Sequence, residues 1–144
     1  MTDTPITLQT GPEIPFDQLV DLYNAVGWLA YTNDEQRPKL QQALQNSTHV
    51  VSAWDGAQLI GLARCLSDEV AVCYLQDILV RPAYQRKGVG RKLLEHCLVR
   101  FAHVRMQILL TDDEERQKLF YASLGFENTR EIEWARFNVF VRFK

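Results

Sequence analysis

The sequence has little of what would place a protein in a membrane, in a secretory pathway or around a metal. Its three cysteines, Cys65, Cys73 and Cys97, are an odd number without paired spacing or neighbouring histidines, so we predict neither a disulfide framework nor a zinc site. No apolar run approaches the roughly 20 residues that span a bilayer. The first ten residues, MTDTPITLQT, lack the basic and apolar regions of a signal peptide. We therefore expect a cytoplasmic protein.

A large excess of charge of either sign is also missing. The formal net charge of the 144 residues is −2, so the chain as a whole is not attracted to nucleic acid or to anionic membranes, and we predict neither as a partner. The cations are instead concentrated locally, at Arg81, Arg86, Lys87, Arg91 and Lys92. A local basic cluster on a mildly acidic protein favours a small anionic ligand.

The hydrophobic pattern predicts one α/β domain over residues 1–144, in the order β-α-α-β-β-β-α-β-α-β-β. Helical spacing of apolar residues predicts helices near 16–26, 36–46, 88–102 and 111–125. Strand patterns cover 6–10, 70–80, 105–110 and a hairpin that turns at Asp55-Gly56. The last ten residues, ARFNVFVRFK, alternate apolar and polar side chains and predict a terminal strand with one wet face.

The stretch AYQRKGVGRKLL, residues 83–94, follows the buried strand YLQDILV and carries two glycines among four cations. Glycine permits close approach of a ligand to the backbone, and a helix that begins here adds its positive end, so the amides from Arg86 to Arg91 can converge on a pyrophosphate. The spacing Q-x-x-G-x-G matches neither a Walker loop nor the dinucleotide fingerprint, whose third glycine is replaced by Leu93. The alternative is a glycine-rich turn beside a solvated basic helix face.

Two separated blocks, DILVRPAYQRKGVGRKLLE and LFYASLGFE, resemble the acetyl-CoA-binding motif and the F-Y-x-x-x-G-F signature of the GCN5-related N-acetyltransferases (GNAT). With the order of elements, the resemblance covers nearly the whole chain. It implies a mixed, mostly antiparallel sheet of about seven strands flanked by about four helices, splayed between the fourth and fifth strands. It also implies an enzyme that moves an acetyl group from acetyl-CoA to a primary amine, of a small molecule or a protein, by direct attack in a ternary complex.

The resemblance assigns the cofactor site residue by residue. The backbone of Ile78, Leu79 and Val80 would pair with the pantetheine arm of coenzyme A, and the loop amides would hold its pyrophosphate. The predicted cofactor-binding residues are Ile78, Leu79, Val80, Gln85, Arg86, Lys87, Gly88, Val89, Gly90 and Arg91. No metal is implied.

The same resemblance gives Tyr121 the role of the acid that protonates the departing thiolate; the alternative is a core aromatic beside Phe120. One departure is Glu114, which stands where family members often carry an asparagine that contacts the cofactor. A second departure concerns the base that the acceptor amine requires. The familiar glutamate positions fall at Tyr74 and near Leu109, neither of which can accept a proton as a carboxylate does.

Asp77 is the nearest carboxylate to those positions, and Asp68 and Glu69 are alternatives. We list Asp77 as a catalytic candidate, although a structural residue hydrogen-bonded to the loop is the more economical interpretation. Trp28, Tyr31 and Trp54 are candidate walls for an apolar or cationic amine, or else packed aromatic surface. The three histidines lie far apart in the sequence and receive no role.

Two further possibilities stay open at this level. The missing carboxylates at the familiar base positions are compatible with a non-catalytic acyl-CoA sensor or protein-interaction module on the same fold. The terminal strand ARFNVFVRFK can also pair between subunits, which predicts a possible homodimer.

Overall fold

The computed structural model describes residues 5–144, which form two compact units. The first unit ends at Leu109 and the second comprises Leu110–Lys144. The two units are described separately below, and the single domain over residues 1–144 stays a prediction. No described helix has both the length and the apolar character needed to cross a membrane.

The first unit is built on a five-stranded sheet in the order β1-β2-β3-β4-β5. The strands are β1 Ile6–Thr10, β2 His49–Asp55, β3 Gln58–Ser67, β4 Val72–Val80 and β5 Met106–Leu109. Neighbouring strands are antiparallel except β4 and β5, which are parallel. The unit also contains α1 Phe16–Ala25, α2 Arg37–Gln45, α3 Val89–Arg100 and short 3-10 turns at Leu29–Tyr31 and Pro82–Tyr84. The second unit contains α4 Glu115–Ser123.

The three helices of the first unit, α1, α2 and α3, cover opposite faces of its sheet. A core cluster joins α1 and α2 to the strands through buried side chains that include Leu22, Tyr23, Leu44 and Leu62. Gly61 precedes Leu62 and so faces the other way, towards α3. A Cβ atom added to Gly61 would lie 3.1 Å from Leu93 Cδ1 and 3.2 Å from the Leu79 carbonyl oxygen. Glycine therefore allows α3 to pack closely against β3.

The predicted alternation of strands and helices is confirmed through α4, with an α/β fold of five mostly antiparallel strands and four helices. The two strands predicted after α4 are not confirmed within the described residues. The segment ARFNVFVRFK forms no strand, and Phe140 and Phe143 are 90% and 87% exposed. Alternation makes a segment suitable for a sheet edge, but a strand also needs a partner that supplies hydrogen bonds.

The β4 strand changes its pairing halfway along its length. On one side, the register with β3 shifts from Arg64↔Asp77 to Cys65↔Leu75, which leaves Gln76 as the extra residue of a β-bulge. On the other side, β5 pairs only with the first part of β4, from Val72↔Met106 to Leu75↔Leu109. The register ends there, in agreement with the predicted separation of the fourth and fifth strands.

Candidate functional site

The second half of β4 directs backbone groups away from β3. The Arg81 N–H donates to the Ile60 carbonyl oxygen at 2.8 Å. Because hydrogen-bonded and non-hydrogen-bonded pairs alternate in an antiparallel ladder, the backbone groups of Ile78 and Val80 point to the opposite side. The β5 pairing does not reach these residues on that side. An extended ligand can therefore hydrogen-bond to this part of β4 as an added strand would.

The loop after β4 turns sharply before α3 begins. Arg86 and Gly88 have φ values of +63° and +83°, both in the left-handed region, which is costly for arginine and free for glycine. Gly88 is the N-cap of α3, and no side chain caps the helix. The N–H groups of Gly88, Val89 and Gly90 thus have no intrahelical acceptor. A Cβ atom on Gly88 would meet nothing within 4 Å, so the space beside these amides is open.

Cationic side chains surround these amides. Arg86, Lys87 and Lys92 are exposed, and Arg91 lies 3.5 Å from Glu95 in an exposed ion pair. The Gln85 side chain, predicted to take part in cofactor binding, donates from Nε2 to the Val80 carbonyl oxygen at 3.0 Å. It therefore ties the loop to the end of β4. Open amides with exposed cationic side chains nearby form a favourable site for a phosphate group.

A second contact fixes the start of the loop. The Tyr84 hydroxyl donates to the Asp55 carboxylate at the end of β2, and this hydrogen bond raises the pKa of Tyr84. Lys87 Nζ lies 5.7 Å from the centre of the Tyr84 ring. The loop is thus fastened to the β2–β3 hairpin at one end and continues into α3 at the other.

Asp77 lies in a buried polar cluster on the α1 side of the sheet. Only 2% of Asp77 is exposed. Its Oδ2 atom accepts from Arg64 Nε at 2.6 Å and from the Tyr23 hydroxyl at 2.9 Å. The Tyr31 hydroxyl lies 3.4 Å from Oδ1. Burial raises the pKa of Tyr23 well above its usual value, and the Asp77 carboxylate raises it further.

These contacts favour a structural role for Asp77. The sequence predicted hydrogen bonds between Asp77 and the loop after β4, whereas its partners in the structure include Arg64 and Tyr23. Its hydrogen bonds within the described chain go to β3, α1 and the turn after α1, and none goes to the loop after β4. The catalytic role of Asp77 stays an untested prediction. Sequence reasoning missed Arg64 altogether, although an arginine inside the apolar run LIGLARCL is itself a signal for a buried carboxylate partner.

The two alternative carboxylates hold the turn before β4. Asp68 Oδ1 accepts three backbone N–H groups, from Val70, Ala71 and Val72, at 2.8–3.1 Å, and these hydrogen bonds lower the pKa of Asp68. Glu69 accepts from both terminal nitrogens of Arg100, and this contact lowers the pKa of Glu69. Both carboxylates therefore already have hydrogen-bond or ion-pair partners at the turn before β4.

The three aromatic residues predicted as walls for the amine differ in burial. Trp28 and Tyr31 are partly buried and pack together, with ring centres 6.2 Å apart. Trp54 is only 7% exposed, belongs to the core cluster and donates from Nε1 to Ser52 Oγ at 2.8 Å. The structure favours the packed alternative for Trp54, and its role as a wall for the amine stays a prediction. Tyr74 was considered in the sequence only as a position for the base. It is half-buried, and both its burial and the nearby Asp77 carboxylate raise its pKa. Tyr74 therefore lies near the polar cluster around Asp77.

Tyr121 lies on α4 in the second unit. Its ring contacts Phe120 and Phe126 edge to face, with centres 5.1 and 6.0 Å apart. Burial raises the pKa of Tyr121 to about 12, so its hydroxyl keeps its proton at neutral pH. Glu114, the departure noted in the sequence, is the N-cap of α4 and makes no side-chain capping hydrogen bond.

Comparison with known proteins supports the resemblance to the acetyltransferases. The family model "Acetyltransferase (GNAT) domain" matches residues 46–128, more than half of the chain. The chain is 30% identical to the histone acetyltransferase TAP1 of Glycine max over 135 residues, covering 85% of this chain and 56% of that protein. It spans about half the length of the curated relatives it matches.

Solved structures agree with this match. A GNAT-family acetyltransferase from Streptococcus pneumoniae TIGR4 superposes with a TM-score of 0.77 at 31% identity, covering 97% of this chain and all of the other. An aminoglycoside N-acetyltransferase in complex with CoA has a TM-score of 0.73 at 15% identity, covering 99% of this chain and 97% of the other. The second comparison is an agreement in fold.

Proposed function

Because the chain belongs to the GNAT acetyltransferase family, we propose that it is an acetyl-CoA-dependent N-acetyltransferase. It transfers the acetyl group to a primary amine, of a small molecule or a protein, by direct attack in a ternary complex. The observation that carries the proposal is the open set of amides at Gly88, Val89 and Gly90, next to a β4 edge that β5 leaves unpaired. These two features fit the pyrophosphate and the pantetheine arm of coenzyme A.

The chain's own residues have distinct proposed roles in binding. The backbone groups of Ile78 and Val80, which point away from β3, bind the pantetheine arm, and the loop from Arg86 to Arg91 binds the pyrophosphate, with Gln85 holding the loop to β4. Leu79 was predicted to pair as well, but its backbone groups point towards β3. Bound acetyl-CoA supplies a thioester carbonyl that an amine can attack. Arg86 and Lys87 add positive charge around the phosphates, and their exposure lets them adjust to the ligand.

Chemistry at the reacting bond requires an acid and an unprotonated amine. We assign the acid to Tyr121, because a hydroxyl whose pKa is about 12 carries a proton at neutral pH and can donate it to a leaving thiolate. The amine must lose a proton before attack. Asp77 is a weak candidate for that base, since Arg64 and Tyr23 already occupy its Oδ2 atom. We therefore propose that water removes this proton.

The acceptor is proposed as a class. The similar proteins include a histone acetyltransferase and an aminoglycoside N-acetyltransferase, so protein and small-molecule amines are both retained. Trp28 and Tyr31 are the proposed aromatic walls, with Tyr74 added from the structure. We further propose that the protein acts in the cytoplasm as a homodimer, without nucleic acid or membrane as a partner.

A second function has a specific observation in its favour. Asp77, Asp68 and Glu69 are all engaged in hydrogen bonds or ion pairs, which leaves the predicted base without a free carboxylate among these three. The lack of a free carboxylate among these three is compatible with a domain that binds acyl-CoA without catalysis. Thiol release from acetyl-CoA across a panel of primary amines separates the two functions, because only the enzyme releases thiol.

Calorimetric titration with acetyl-CoA tests the binding site directly. We expect Gly88→Ala to weaken binding by about tenfold or more, equivalent to about 1.4 kcal/mol, because the added methyl group occupies the open space beside the amides. Gly27→Ala is the matched control, since Gly27 has a φ of +82° and equally open surroundings. It carries the same backbone strain outside the loop and should bind acetyl-CoA normally. A folded wild type that does not bind acetyl-CoA would overturn the proposal.

A further inference from the structure

Two histidines that lie 47 positions apart in the sequence meet in the first unit. His49 is the first residue of β2 and His96 lies on α3. Their Nε2 atoms are 3.0 Å apart, the ring planes differ by 12° and the ring centres are 5.1 Å apart. The rings are therefore nearly parallel, and their Nε2 edges point towards each other. At this separation one Nε2 carries a hydrogen and the other offers its lone pair.

The pair is accessible from solvent. Both imidazoles are partly exposed and line a surface groove of about 590 Å³, together with residues that include Thr10, Lys92 and Glu95. Solvent and small ions can therefore reach both Nε2 atoms without any movement of the backbone.

The surroundings disfavour a positive charge on His49. Burial lowers the pKa of His49, and His96 and Arg100 lower it further. The Arg100 guanidinium is held by both carboxylate oxygens of Glu69, which also lies 3.3 Å from His103. The remaining charged residues of the groove are Lys92 and Glu95. A second proton on the pair would place two positive charges 3.0 Å apart beside a third, so protonation of both rings is unfavourable.

We propose that His49 and His96 form a binding site for a divalent d-block cation, which both Nε2 atoms coordinate through their lone pairs while the hydrogen between them moves to Nδ1 of the ring that carried it. Imidazole nitrogens bind zinc at about 2.0–2.1 Å, so two of them on one ion lie about 3 Å apart, close to the separation in the structure. Neutral imidazole is a preferred ligand of zinc, copper and nickel. This site is independent of the proposed acetyl transfer.

The remaining coordination positions belong to water. Within residues 5–144, no group of three or more His, Cys, Asp or Glu side chains is placed to hold an ion. Two protein ligands beside Lys92 and Arg100 predict an affinity far below that of a closed four-ligand site. A bound ion would link the start of β2 to α3, the helix whose first turn forms the proposed phosphate site.

Copper is the sharpest probe, because Cu²⁺ binds such ligands more tightly than Zn²⁺ does. Full-length protein titrated with Cu²⁺ at pH 7.5 should bind one ion whose electron paramagnetic resonance spectrum shows coupling to two imidazole nitrogens. His49→Gln and His96→Gln should each weaken that binding at least tenfold. His103→Gln is the matched control, because His103 lies at the same end of the unit outside the pair, and it should bind like the wild type.

A further measurement keeps the result interpretable. Circular dichroism identifies a variant that fails to fold, and the other member of the pair then provides the test. Wild-type protein that binds no Cu²⁺, or a bound ion that survives substitution of His49 and of His96, would overturn the proposal.

Discussion

Burial determines the chemistry that Tyr121 can perform. Its ring lies between Phe120 and Phe126, and the loss of solvation raises the pKa of its hydroxyl to about 12. A hydroxyl with this pKa keeps its proton across the neutral range, as the proposed acid requires. Tyr121→Phe should lower kcat about 100-fold or more, the usual contribution of a general acid, with acetyl-CoA affinity changed less than about twofold because the ring is kept. Thiol release with the best amine of the panel measures the first quantity, and calorimetry the second.

The control for this prediction is another tyrosine hydroxyl. Tyr84 donates to Asp55 near the loop, and Tyr84→Phe should leave kcat near the wild-type value. The wild-type rate should also show no decline between pH 7 and 9 that Tyr121→Phe removes, because a pKa of about 12 lies above that range. Full activity of Tyr121→Phe at every pH would show that the acid is another group.

Single residues differ in how well the sequence predicts their environment. The glycine spacing marked Gly88 as a special position of the loop, and the structure gives it a φ of +83°, whereas the close approach of a ligand there stays a prediction. The burial of Trp54 and the meeting of His49 with His96 were not predictable. Both depend on which elements pack together, and no local pattern records that. The Arg64–Asp77 pair lies between these cases, since each charged residue interrupts an apolar strand.

At the scale of elements, the Arg64–Asp77 pair joins β3 to β4, and Tyr23 ties both to α1. The side chains are 8% and 1% exposed and their atoms lie 2.6 Å apart. Arg64→Leu leaves the Asp77 carboxylate buried without its cation, and we expect a loss of about 3–5 kcal/mol in the free energy of unfolding. The double variant Arg64→Leu/Asp77→Leu should recover much of this loss. Urea denaturation measures all of these values.

An exposed ion pair supplies the comparison. Arg81 lies 2.7 Å from Asp21, whose side chain is 66% exposed, so Asp21→Ala should cost at most about 1 kcal/mol. Asp77→Asn, which keeps the shape of the side chain, separates structure from catalysis. Lost activity with stability and acetyl-CoA affinity unchanged would contradict the structural role and identify Asp77 as the base.

Elements with strong local patterns were predicted well. Features that depend on how strands pair with one another were not. The hairpin was expected from Asp55-Gly56, and the structure turns at Gly56 and Ala57 between β2 and β3. The helices α1, α2 and α3 begin and end within about two residues of the predicted bounds. The bulge at Gln76 and the short β4–β5 pairing arise from the registers of three strands, so neither could be derived from one segment. The predicted terminal strand is not formed in the described chain for the same reason, since a strand depends on pairing with another segment.

At the scale of the whole molecule, composition predicts a globular chain with a substantial core, and the first unit contains one. The residues after α4 behave differently. Six large apolar side chains there are between 53% and 90% exposed: Trp134, Phe137, Val139, Phe140, Val141 and Phe143. Soluble monomers rarely leave apolar surface of this extent in water. The alternation of residues 135–144 fits a strand whose partner lies on another chain, which is the basis of the proposed homodimer.

Light scattering coupled to gel filtration tests the dimer. The wild type should elute with about twice the chain mass of 16.7 kDa. Val139→Lys/Val141→Lys places two charges on the apolar side of the predicted strand, so this variant should elute as a monomer because a dimer would bury both. Asn138→Lys changes the opposite side and should stay dimeric. A wild type that is monomeric at every concentration would contradict the prediction, and equal dissociation by Asn138→Lys would show that the segment does not pair as a strand with one buried face.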